Sequence, residues 1–148
     1  MNNDQMQAAF EECAARHSAH LIDLVVRGSH SRPVIEVFID AKDGVTSELC
    51  AEVSRDVAET IDRERWVRGT YRLDVSSPGI DRPLRFPWQY PKHLGRVMDV
   101  YAAGIDAPYV GELTFADDNG IVLQLLEGAS ALRLTFEAIK MAIVRAPW

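Results

Sequence analysis

The 148-residue chain is 47% hydrophobic and 26% charged, with a formal net charge of −6, the profile of an ordinary globular protein of one or two small domains. No apolar run approaches the ~20 residues of a membrane span, and an acidic chain lacks the electrostatic footprint of an autonomous nucleic-acid binder. The N-terminal MNNDQMQAAF has neither a basic leader nor an apolar signal core, which predicts a cytoplasmic protein.

Asp4 is placed to cap a first helix, whose apolar stripe is Met6, Phe10, Cys13 and His17. Two strands follow. Ile22, Leu24 and Val26 alternate in the first and Ile35, Val37 and Ile39 in the second, with Gly28-Ser-His-Ser31 as the hairpin turn. Val25, Val34 and Phe38 make the other face of this sheet half-apolar, which reads as a docking surface or, the favoured reading, as a face covered by another element.

Thr46 or Ser47 caps a second helix with Glu48 in its positive first turn, and Cys50, Val53, Val57 and Ile61 form its buried stripe. Glu48, Glu52, Asp56 and Glu59 lie outside that stripe. They read as a solvated face, or as an acidic face for a basic partner. A third strand, Thr70 to Ser76, completes an α-β-β-α-β two-layer domain with both helices on one face.

Ser77-Pro78-Gly79-Ile80 then fits a type II turn, with Pro setting φ near −65° and Gly supplying φ > 0. Pro83, Pro87 and Pro91 recur every fourth residue and forbid an uninterrupted helix. Within that stretch Arg82, Arg85, Lys92 and Arg96 interleave with Phe86, Trp88 and Tyr90. Such a pattern can stack bases and meet phosphates, but burial of the rings with solvated cations is the plainer reading.

The remainder is strand-rich: 97–101, 109–115, 121–126 and 131–136, a helical turn at 137–140, then 141–144, with Asp118-Asn-Gly120 as a tight turn. Five short strands with a late helical turn predict a small SH3-like or Sm-like β-barrel. The expected architecture is α+β: residues 1–82 an α/β domain, 83–92 a Pro-rich basic-aromatic connector, and 93–148 the barrel. Residues 1–84 hold 15 acids and 10 bases, against 7 and 6 in 85–148, so the first half suits a basic partner.

No residue set supports catalysis. Ser76 and Ser77 lack a G-x-S-x-G elbow, and adjacent Asp81 and Arg82 point apart on an extended chain, so both pairs read as structure. Cys13, His17 and His20 lack a fourth metal ligand, and no glycine loop cradles a phosphate. Neither metal nor cofactor is expected.

Three resemblances add to this. The α-β-β-α-β order is similar to KH domains, although no GXXG loop occurs. Val110 to Asp117 weakly resembles the first signature of Sm-type barrels. The stretch Tyr71 to Leu84, with Ser76-Ser-Pro-Gly-Ile-Asp-Arg-Pro-Leu84 at its centre, closely resembles the signature of the RimP family of bacterial ribosome maturation factors, as does Asp43 to Arg55. Asp74 stands where that family usually has Glu, and Leu49 where an acidic residue is common.

This last resemblance implies a non-catalytic assembly factor. It would bind the free small (30S) ribosomal subunit and its precursors late in maturation, assisting rRNA maturation and incorporation of a basic ribosomal protein. On that view Ser76, Ser77, Pro78, Gly79, Asp81, Arg82 and Pro83 form a structural junction. Arg82, Arg85, Phe86, Trp88, Tyr90, Lys92 and Arg96 are candidate ribosome contacts with a secondary role toward rRNA, and Glu48, Glu52, Asp56 and Glu59 are a candidate partner face. Nothing demands more than a monomer. The alternative is a generic single-stranded RNA-binding module acting through connector and barrel.

Overall fold

Alternating apolar residues and two amphipathic stripes fold the first half into a helix-covered sheet. A computed structural model describes residues 3–79 and 82–146, and the chain divides into two compact units after Pro78. The first contains α1 (Asn3–Ala15), β1 (His20–Ser29), β2 (Arg32–Asp40), α2 (Ser47–Glu64) and β3 (Arg72–Ser76). The strand order is β1-β2-β3, with β1 antiparallel and β3 parallel to β2. No helix among the described residues is long and apolar enough to cross a membrane.

Both helices cover one face of this sheet. Met6, Phe10 and Cys13 of α1 and Val53, Val57 and Ile61 of α2 close over Ile35, Val37 and Ile39, all at most 1% exposed. Each such side chain contributes roughly 1.5–3 kcal/mol by leaving water. Thr46 caps α2, its hydroxyl accepting the Leu49 N–H at 3.0 Å. Trp66, just past the helix, sets its ring edge-on against Phe10 at 6.0 Å.

Several expectations need correction here. Asp4 is not the cap of α1 but lies inside its first turn, where its charge still meets the helix's positive end. The helix ends at Ala15, so His17 leaves the apolar stripe. Ser18 turns left-handed at φ 59°, and the Ala19 N–H reaches back to the Ala14 carbonyl at 3.0 Å. On β1 a bulge between Leu21 and Asp23 takes Ile22 out of the alternation, so Leu21, Leu24 and Val26 face Ile39, Val37 and Ile35. The hairpin is tighter than the Gly28–Ser31 turn, because Ser29 already pairs with Arg32. Cys50 sits at the rim of the core, half-buried, and that partial burial raises its thiol pKa.

The second unit opens with a 3-10 helix, Pro87–His93, then β4 (Val97–Ala102), β5 (Tyr109–Ala116), β6 (Gly120–Leu125) and β7 (Ala131–Thr135). A short 3-10 turn, Phe136–Ala138, leads into β8 (Ile139–Val144). All pairings are antiparallel in the order β7-β6-β5-β4-β8, the SH3-like arrangement in which the first strand is joined by the last. Met98, Val100, Leu113, Ile121, Leu123 and Ala142 are 0% exposed on its inner face.

Asp117 holds the β5–β6 turn by accepting the Asn119 and Gly120 N–H groups at 2.8 and 2.9 Å, and these bonds lower its carboxyl pKa. Gly120 is required by close approach: a Cβ there would lie 2.2 Å from the Leu134 carbonyl oxygen.

Candidate functional site

The basic-aromatic stretch is a folded element of the second unit. Three prolines in nine residues deny it α-helical hydrogen bonds, yet Pro87 suits the first position of a helix and the segment closes as 3-10 turns. Gln89 makes this possible. Its side chain is 1% exposed, and its Oε1 accepts the N–H groups of Arg85 at 2.7 Å and of the N-cap Phe86 at 2.8 Å, the second being a capping-box reach from the third helical residue.

That turn divides the candidate contacts. Tyr90 drops into the core, 3% exposed, its ring 5.0 Å from that of Phe136, and burial pushes its hydroxyl pKa up to about 12. Phe86 and Trp88 stack on each other at 5.5 Å with planes 9° apart. The Arg85 guanidinium lies 5.6 Å from the Phe86 ring centre, and the Lys92 ammonium 5.4 Å from that of Trp88. Arg96 donates from Nη2 to the Arg145 carbonyl at 3.1 Å. Arg85 and Lys92 thus already engage the stacked Phe86 and Trp88 rings.

Beside them a cleft of about 650 Å³ opens, lined by Pro87 and Tyr90 from the 3-10 helix, Tyr101 and Ile105 from β4 and the loop after it, and Phe136 and Lys140 from either side of the late turn. Arg85 stands at its rim with Asp106. Tyr101 and Lys140 had no sequence signal. They become neighbours only because β4 pairs with β8, with Tyr101 opposite Met141. An aromatic-walled cleft with two cations admits a flat ring and an attached anion.

The four candidate carboxylates of α2, Glu48, Glu52, Asp56 and Glu59, are not one free face. His17, released from α1 by the early helix end, places Nε2 2.7 Å from Asp56 Oδ2 and Nδ1 3.2 Å from Glu52 Oε2, and Arg16 stands 4.0 Å from Asp56. Glu52 and Asp56 therefore tie α2 to α1, whereas Glu48 and Glu59 are exposed. At the junction Gly79 has φ +72°, the left-handed conformation that favours glycine. Ser76 ends β3, Ser77 is exposed, and Pro83 and Arg82 are described on the far side; Asp81 lies outside the described residues. Cys13 is buried with its Sγ 3.5 Å from Thr60 Oγ1, away from the His17 pairing.

The RimP N-terminal domain family model matches residues 9–81. A ribosome maturation factor RimP of Pelodictyon phaeoclathratiforme is 34% identical over 131 residues, covering 85% of this chain and 68% of that protein. The match extends past the family model, so both units share in it.

Proposed function

The chain belongs to the RimP family, and from that premise we propose that it is a ribosome maturation factor acting without catalysis in the cytoplasm. It binds the free 30S subunit and its precursors late in assembly, as a monomer, and assists rRNA maturation and the incorporation of a basic ribosomal protein. The observation that carries this reading is the kinship over 131 residues with a protein named for ribosome maturation.

Physical features support the division of labour. With 15 acids to 10 bases, the first 84 residues attract a cationic protein and are repelled by bare rRNA. Glu48 and Glu59 are the members of the α2 acidic group left exposed for that contact. The second unit is nearly neutral, and its Arg85, Lys140 and Tyr101 cleft supplies a secondary rRNA contact. Arg82, Lys92 and Arg96 add positive charge along the same segment, with Phe86 and Trp88 as its apolar body.

Deletion of the gene followed by subunit profiling tests the reading. The expected result is a depleted small-subunit pool with incompletely processed rRNA, and tagged protein that co-sediments with free small subunits but not with translating ribosomes. A normal pool with mature rRNA would overturn it. Equal affinity for any single-stranded RNA, without subunit preference, would favour a generic RNA-binding module.

A further inference from the structure

The outer edge of β3 carries no strand among the described residues: Arg72 to Ser76 pair only with Val34 to Phe38 of β2, at the end of the order β1-β2-β3. An edge strand presents N–H and C=O groups at the spacing a further strand requires, and domains blunt such edges with proline, bulges or a covering element. β3 has neither a proline nor a bulge. Beside it, α2 is low in bulk where a covering chain would need room. Cys50, Ala51 and Ser54 face the Leu73–Ser76 stretch across an open groove of about 480 Å³.

A chain added about 4.8 Å outside β3 would send alternate side chains toward α2 and the others toward the Arg72, Asp74 and Ser76 face. Only small or β-branched residues fit over Cys50, Ala51 and Ser54. The surrounding charge sets the other half of the pattern. Asp74 lines the groove and stands on that second face, with Glu36 of β2 as its register partner. Arg72 and Arg27 are the cations of that face, holding Asp74 at 3.1 Å and Glu36 at 2.7 Å, within a first unit that is acidic as a whole.

We propose that the β3 edge and its groove dock an extended segment of a basic protein by strand addition, with apolar β-branched residues alternating with Lys or Arg. Main-chain bonds to β3 supply affinity and the alternation supplies register. A second copy of this chain is the poorer occupant, because it would bring the same carboxylates to the same edge. The inference rests on the maturation-factor reading only for the source of the basic segment.

The probe is an acetylated, amidated heptapeptide alternating Lys or Arg with Val, added to the full chain and followed by amide hydrogen exchange. Slowed exchange at residues 72–76 is expected. Ala51→Trp, a change at an exposed helix position, should weaken binding about tenfold by filling the groove. Asp74→Lys should weaken it about threefold to tenfold.

N-methylating every second amide along the edge that meets β3 should abolish binding, whereas methylation along the opposite edge should not. Equal binding by both methylated peptides, or by a scrambled peptide of equal charge, would overturn strand addition, as would protection elsewhere or β3 protection from self-association alone. The two readings fail separately. Peptide binding at β3 without small-subunit association refutes the maturation role and leaves the docking edge, whereas normal subunit association with no peptide effect at β3 refutes the edge.

Discussion

Replacing Gln89 with Leu should destabilise the second unit far more than a single polar-to-apolar change at a surface would. The Gln89 Oε1 accepts two backbone N–H groups, from Arg85 at 2.7 Å and Phe86 at 2.8 Å, and the side chain is 1% exposed. Leucine keeps most of the volume but leaves both donors without that acceptor. A buried donor left unmade costs about 1–3 kcal/mol, and these two are partly buried, so the combined loss is about 2–4 kcal/mol. For a unit of this size that corresponds to a fall in melting temperature of about 10–20 °C.

Thermal unfolding followed by near-ultraviolet circular dichroism, with Trp88 and Tyr90 as reporters, reads the change. Amide exchange at Arg85 and Phe86 locates it. Gln89→Glu retains an accepting oxygen at the Oε1 position and should recover most of the amide protection. If Gln89→Leu melts within a degree or two of the parent, with both amides still protected, the 3-10 helix does not depend on this side chain and the reasoning is wrong.

Gly120→Ala places a methyl group 2.2 Å from the Leu134 carbonyl oxygen, with backbone on both sides, and should cost about 3 kcal/mol in urea unfolding by parting β6 from β7; an unchanged midpoint would show that the strands give way freely. Tyr90, whose hydroxyl pKa rises from 10.0 to about 12 on burial, makes stability flat below pH 10 and falling as the pH rises from there to about 12, since the unfolded chain ionises first. Tyr90→Phe should flatten that alkaline slope in pH-dependent melting, and an identical slope in both proteins would refute the assignment.

Elements with strong periodicity were legible in the sequence, because burial on one face writes itself into spacing. Ile35, Val37 and Ile39, and Val53, Val57 and Ile61, occupy the core that their spacing predicts. The five later strands begin and end within two residues of their expected places. What escaped was set by partners distant in sequence. Nothing local marks the bulge at Ile22 or the left-handed Ser18 that frees His17 for Asp56, 39 positions on.

In the second unit, the pattern of prolines correctly forbade a continuous α-helix but not the 3-10 alternative, which Gln89 stabilises from inside. The interleaved cations and rings were visible as composition. Their mutual stacking, and the arrival of Tyr101 and Lys140 beside them, depend on strand pairing that no local window contains.

The pairing of β4 with β8 also bears on the order in which the molecule forms. Met98 finds Val144 only after the intervening chain has been made, so the second unit closes in one late, long-range step. The first unit has all its strands by Ser76, before β4 begins at Val97. During synthesis the acidic unit can therefore fold while the other is still an open meander. Loss of Ile139–Val144 would bare one edge of the first strand of the second unit as well as remove the last, leaving the early-folding unit intact.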